Sequence, residues 1–344
     1  MNFNFNDDQI LFSESLQKFL KDNITTNYIR EFWKNIQNDS QFPLCWWDEL
    51  SDLGFLSANL DESNGGMSLD LITITLLVEN IGYSGLPEPV AEQLFLANPI
   101  INQFSDEIHT EYLAVAHDLA PYPNFLESSE QLLFFNDKNP YLIDVEKLKI
   151  TSLESNDPSR KIYEFEAQNI GEATKLETEN NLYEQVQNYG MVMSSALLLG
   201  LSKRIIDTAK LYTYDREQFG KPIGSFQAVK HMLADAAIEI EFTNALLYRA
   251  ASSIEQNCSS ASLHAAQAKF QSIKACEIAS KNGLQAHGAM GYTWEMDLHI
   301  FLRKGWSYKG IWGSKPFTEN IVFDYLKKDL LKLGATYTFI NNND

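Results

Sequence analysis

Apolar positions in the first hundred residues recur every three or four places, the spacing of one helical face. Within residues 6–36 that face carries Ile10, Leu11, Leu16, Phe19 and Leu20, and Asn6 or Asp7 can cap its start. The spacing predicts an amphipathic helix there. FPLCWWDELSDLGFL (42–56) carries a shorter helix ending near Gly54, ESNGG (62–66) reads as a loop, and SLDLITITLLVENIGYSG (68–85) returns to helix. LPEPVAEQLFLANPII (86–101) adds another. No period-two alternation occurs before about residue 112, so the first unit is expected to be all-helical.

The middle of the chain changes period. LLFF (132–135), YLIDV (141–145), LKIT (148–151) and IYEFEA (162–167) are short apolar or alternating runs separated by Asn, Asp, Pro and Ser. They predict a small β unit of about 60 residues. From about 182 the pattern is helical again. Phe226, Val229, Leu233, Ala236, Ile240, Thr243, Leu247, Ala250 and Ile254 alternate steps of three and four, as in a long bundle helix. The helix before it holds Ser194, Ser195, Ala196 and Gly200, small residues that permit close approach, so it is expected at the centre. Further helices are expected over 260–287 and Thr318–Leu333, with one more through LHIFLRK (298–304). The expected fold class is mainly α. An N-terminal helical domain (1–115) is followed by a truncated β domain (116–175), a C-terminal four-helix bundle (176–335) and a tail (336–344).

Charge narrows the partners. There are 46 acidic against 27 basic residues, a formal charge of −19. Phosphate-rich polymers and anionic membranes need a basic face, so nucleic acid is not expected. One small anionic ligand held by a local arginine remains compatible with this balance. Cys45, Cys258 and Cys276 have no metal-type spacing, and the six histidines form no ligand pair, so no metal is expected. His231 and His264 read as bundle-surface or capping residues. The acidic start and the absence of a 20-residue apolar run predict a cytoplasmic protein without a membrane span.

Two stretches carry the candidate chemistry. YDREQFGKPIGSFQAVKH (214–231) places an arginine, two glutamines and two phenylalanines in an elbow between long helices. An arginine there can bond a phosphate, and the rings can wall an aromatic system. QAHGAMGYTWEMDLHIFLRK (285–304) follows near the end. Together they resemble the acyl-CoA dehydrogenase family, which carries R-x-x-F-G…F-Q in this elbow and Q-x-x-G-G-x-G-[FY]-T-x-E later. The wording GYTWEMDLH-FLR is closest to the branch that shortens steroid or other bulky side chains. WWDELSDLGF…NGG…VENIGYSG resembles the family's helical domain, so the resemblance covers nearly all of 1–335. It implies that both stretches reach across a subunit interface to the adenosine-diphosphate end of a neighbour's FAD. Arg216, Gln218 and Phe219 then fall at the pyrophosphate, with Phe226 and Gln227 on the next helix and Gln285, His287, Gly288 and Ala289 in the second strip. Ala289 stands where the family usually has a second glycine.

What the family uses for its own flavin and substrate is missing. The T-E-P-x-[AG]-G-S-D type loop is replaced by VAHDLAPYPNFLESSEQ (115–131), and no W-I-[ST]-N strand follows. The reaction removes an α-proton while the flavin takes hydride from the β-carbon, so a positioned carboxylate is required. Its usual position, nine residues after Arg303, is Trp312, and the alternative, 26 before Arg216, is Gly190. Neither is a base, so no catalytic residue is assigned. The resemblance then implies a subunit that lends its FAD-binding half to a catalytic acyl-CoA dehydrogenase partner in an α2β2 heterotetramer. The partner would bind most of the acyl-CoA, with a steroid side-chain thioester as the candidate that the resemblance offers. A homomeric enzyme with a displaced base at Glu184, and a flavin-free scaffold of the same fold, are the alternatives.

Overall fold

The computed structural model describes residues 5–37, 45–108, 112–167, 170–178 and 181–329. The expected tail (336–344) and the end of the last helix at Leu333 lie outside them. The expected helix over 6–36 is two helices, α1 (Asp7–Asn23) and α2 (Thr26–Gln37). Asn6 and Gln9 cap α1 reciprocally. The break falls at Ile24, which leaves helical geometry at φ −93°, ψ 74°. Thr25 then accepts the Tyr28 N–H at 3.2 Å, a hydroxyl competing with the backbone ladder. After α3 (Trp47–Asp52), α4 (Leu71–Ser84) starts at Asp70, whose carboxylate accepts the Thr73 N–H, while Glu255 accepts the Leu71 N–H from across the fold. A short helix α5 (Val90–Glu92) runs through a π-type turn (Gln93–Ala97) into α6 (Asn98–Gln103).

The β unit is small and split. Strands β1 (Leu113–Val115), β2 (Gln131–Asn136), β3 (Asn139–Asp144) and β6 (Thr174–Lys175) form one sheet in the order β1-β2-β3-β6, with β1 parallel to β2. Strands β4 (Leu148–Leu153) and β5 (Ile162–Ala167) pair separately. Three residues in β1 show no alternation, so the pattern did not reveal it. A buried ion pair fastens this unit to the helices. Lys304 reaches Asp157 at 3.2 Å and the Ser159 hydroxyl at 2.7 Å, all three enclosed, and Arg160 donates to Ser307 at 2.8 Å.

The long helix α7 (Leu182–Asp215) is the centre of the C-terminal half, with Ser194, Ser195, Ala196 and Gly200 all buried. It packs on α4, on α8 (Gln227–Glu255), on α9 (Ala261–His287) and on α10 (Leu298–Gly310), and α11 (Lys315–Asp329) packs on α9. Its contact with α4 is backbone to backbone. A Cβ at Gly200 would lie 2.0 Å from the Glu79 carbonyl oxygen, and one at Gly82 would lie 2.4 Å from that of Leu197. On α8 the expected stripe is inward, with Ala236, Ile240, Thr243, Leu247 and Ala250 buried. His264, expected at the surface, is instead enclosed between α8 and α9, hydrogen-bonded to Ser253, and burial holds its pKa down at about 4. Among the described residues no helix is long and apolar enough to cross a membrane, and no cluster of three or more His, Cys, Asp or Glu could hold a metal.

Lys269 on α9 is fully buried without an acidic partner. Its ammonium donates to Ser194 Oγ at 2.9 Å and to the Tyr308 carbonyl at 2.8 Å, and burial lowers its pKa from 10.5 to about 7. Between these two values the unfolded chain holds the proton more firmly. Stability therefore rises with pH from about 7 to 10.5, and the burial penalty is complete below about 7. Lys269→Met removes the charge at similar volume. It is expected to stabilise the protein by about 1–4 kcal/mol at pH 6, with the gain shrinking toward pH 10. Urea denaturation at pH 6, 8 and 9.5 measures this, and a pH-independent difference would refute it.

Candidate functional site

The elbow starts where α7 stops. Arg216 caps the helix with extended backbone, its N–H bonded to the Tyr212 carbonyl at 2.9 Å. The chain then forms a hairpin of β7 (Glu217–Gln218) and β8 (Lys221–Pro222). The two turn residues, Phe219 and Gly220, sit at φ +54° and +77°, the left-handed pair that matches the twist of a tight hairpin. Gly220 takes this conformation freely. For Phe219 it costs about 1–2 kcal/mol, and its ring is 93% exposed. Backbone strain spent on presenting an aromatic ring to solvent is characteristic of a contact site.

Around this tip Arg216, Gln218 and Gln227 are exposed. Arg216 forms no ion pair among the described residues. Phe226 is half-buried, with the Lys221 ammonium 4.4 Å from its ring and the Phe219 ring set edge-on at 6.1 Å. The second strip closes α9. Gln285, Gly288 and Ala289 are exposed, but His287 is buried beneath them. Its Nδ1–H donates to the Gly283 carbonyl at 2.7 Å, its ring stacks on Tyr212 at 4.3 Å, and its buried Nε2 has no partner. Burial also lowers its pKa. Gly288 lies at φ +59° with nothing within 4 Å of a Cβ position. Ala289 is not in the left-handed region, so its departure from glycine brings no backbone strain. Tyr212, which pattern reading passed over, joins the two strips at one end of the bundle. A free arginine, an open glycine backbone, an exposed ring and an orphaned buried nitrogen fit the outer, phosphate-bearing half of a nucleotide cofactor.

The other end of α7 is closed. Trp312 and Gly190, the two positions at which a base was sought, are in contact. A Cβ on Gly190 would lie 2.0 Å from Trp312 Cε3. The indole is 2% exposed, and its residue is held at φ +54° by an N–H bond to the Leu119 carbonyl at 2.9 Å. His117, in the segment replacing the missing loop, packs 5.5 Å from this ring and 4.2 Å from Tyr183. Its Nδ1 accepts the Leu119 N–H and its Nε2 donates to the Tyr183 carbonyl, which fixes a neutral tautomer; burial lowers its pKa. A cavity of about 20 Å3 beside the indole is lined by Glu92, Asn124, Arg160 and Trp312 among others. That is room for about one water. An isoalloxazine ring and an acyl chain do not fit here. Glu184 does not line this cavity: it is exposed in the first turn of α7, accepting bonds from Ser262 and Asn181.

Residues 6–117 match the profile described as acyl-CoA dehydrogenase, N-terminal domain, and residues 184–321 match acyl-CoA dehydrogenase, C-terminal domain. Acyl-CoA dehydrogenase FadE34 of Mycobacterium tuberculosis is 36% identical over 131 residues, 38% of this chain and 18% of that protein. The alignments span only 18–37% of the length of the first curated relatives. Among solved structures, the ChsE4–ChsE5 complex from Mycobacterium tuberculosis superposes with a TM-score of 0.80 at 18% identity, covering 95% of this chain and 99% of that chain. A variant of the Tcur3481–Tcur3483 steroid ACAD gives 0.79 at 19% identity, covering 94% and 99%. At these identities the structural likeness is one of fold.

The closed end yields a packing prediction. Alanine in place of glycine inside a helix normally adds about 0.5–1 kcal/mol. Gly190→Ala is expected to lose about 1–3 kcal/mol instead, because the methyl overlaps the indole. Combined with Trp312→Ala it should cost far less than the sum, with a coupling of about 1 kcal/mol or more. Urea denaturation of the double-mutant cycle measures this. Additive effects would mean that the indole does not pack on residue 190.

Proposed function

This chain belongs to the acyl-CoA dehydrogenase family, and we propose that it is the non-catalytic subunit of a heteromeric, FAD-dependent member. It would lend the elbow to a catalytic partner and carry no active site of its own. The observation that carries this reading is the contact of Trp312 with Gly190, which fills both base positions with one indole. The open elbow at the other end of α7 supports the same division of labour.

In such a complex, bound FAD supplies the hydride acceptor for α,β-desaturation of an acyl-CoA. This chain's residues would bind and orient. Arg216 donates to the pyrophosphate as a fixed fork, the charge-assisted bonding that guanidinium gives best. Phe219 would pack against the cofactor, Gln218 and Gln227 would supply amide groups, and the Gly288 backbone would let the chain approach closely. Gln285 and Ala289 complete the strip, with His287 beneath it turning its free Nε2 toward a polar group. Two such interfaces in an α2β2 assembly would hold two FAD molecules. The wording GYTWEMDLHIFLR (291–303) is the basis for proposing a steroid or other bulky side-chain CoA thioester as the partner's substrate. A homomeric enzyme using Glu184 is disfavoured, because that carboxylate is exposed and already accepts two hydrogen bonds.

The purified chain alone is expected to bind little FAD and to oxidise no acyl-CoA. Visible absorbance and a dye-linked assay with CoA thioesters of different side chains measure this, and a yellow, active homo-oligomer would overturn the reading. In the complex with its partner, Arg216→Ala removes a charge-assisted bond worth about 1.5–3 kcal/mol. FAD affinity should fall roughly ten- to a hundredfold while assembly is kept. Unchanged flavin occupancy at limiting FAD would refute the role of Arg216.

A further inference from the structure

A second open region lies away from the elbow. The α1–α2 corner, the end of α4, the middle of α7 and the start of α10 enclose a cleft of about 880 Å3. That is the size of a small-molecule site. Its floor is apolar, made by Leu20, Ile24 and Phe301, each buried. Its rim is polar, with Gln17, Asn80 and the hydroxyls of Thr25, Thr26 and Thr208.

Two ion pairs close within the cleft, and Asp207, Arg204 and Lys21 stay outside them among the described residues. Glu79 accepts Lys203 at 2.6 Å and Tyr248 at 2.8 Å, Asp297 is paired with Arg30 at 2.7 Å, and Asp207 accepts the Tyr83 hydroxyl at 3.0 Å. Arg204 and Lys21 enter no ion pair among the described residues. Arg204 lies between two aromatic rings, its guanidinium carbon 5.4 Å from the centre of Tyr83 and 5.0 Å from that of Phe301. The guanidinium also donates to the Tyr83 hydroxyl, and the Nε–H is buried without an acceptor among the described residues. With Arg30 included, the cleft carries four cations against three carboxylates, an excess of one. In a chain of net charge −19 such a local surplus is uncommon.

We propose that this cleft binds an amphipathic organic monoanion, a carboxylate whose head meets the Arg204 donor edge and Lys21 and whose hydrocarbon part lies on Leu20, Ile24 and Phe301. The guanidinium fork matches a carboxylate in two parallel bonds. The single excess charge selects a monoanion, since Glu79, Asp207 and Asp297 would repel a second negative charge. The lining of the site shares no residue with the elbow.

The test uses the purified full chain and sodium octanoate as probe, with octan-1-ol as its uncharged counterpart, followed by isothermal titration calorimetry. Octanoate is expected to bind with a dissociation constant of about 0.1–1 mM. Octan-1-ol should bind at least about tenfold more weakly, because it cannot form the charged fork. Arg204→Gln should weaken octanoate about tenfold or more, and Lys21→Gln about two- to fivefold. Lys21 is exposed, so Lys21→Gln keeps the test usable if Arg204→Gln fails to fold. No binding at about 10 mM octanoate, equal binding of octan-1-ol, or octanoate binding unchanged in both variants would overturn the proposal.

Discussion

Helix α7 meets its neighbours at distances that only glycine allows. At Gly200 the backbone of α4 occupies the space of a side chain, and at Gly190 the Trp312 indole does. Everything in the C-terminal half is referred to this helix. Its upper contact fixes the N-terminal helices on the bundle, its lower contact fixes the loop after α10, and its end fixes the direction in which the elbow leaves. The helix carries little amphipathic signal because it is buried on nearly every side. Its stability comes from enclosure rather than from one apolar face.

The two ends of α7 differ in chemical character. Around Gly190 aromatic side chains are enclosed: His117 has both ring nitrogens engaged, and Trp312 is buried. Beyond Asp215 the side chains are solvated, and an aromatic residue is held in a backbone conformation it disfavours. The Lys304–Asp157 pair fastens the small β unit to α10.

Much of this was legible in the residues. The 3–4 spacing of Ala236, Ile240, Thr243 and Leu247 marked the inner stripe of α8, and the small residues of α7 marked its central place. The break at Ile24–Thr25 escaped because apolar spacing continued across it while a hydroxyl took the backbone bond. Strand β1 escaped because three residues cannot show a period. His264 and His287 were read from their positions along the sequence, but their burial follows from what packs on them, Ser253 from another helix and Tyr212 from the end of α7. The hairpin at Phe219–Gly220 carried only one of the two turn residues that normally announce it. Arg204 carried no signal, since its meaning arises from Tyr83 and Phe301, distant in sequence.

The interlock of Trp312 with Gly190 also bears on what one-step evolution can reach from this sequence. A carboxylate arriving at position 190 would collide with the indole, and one arriving at position 312 would be buried in the enclosed space that Glu92 already lines. Each step is penalised before any activity could be selected. The two positions are thus coupled through one contact, so that a change at either is felt at the other.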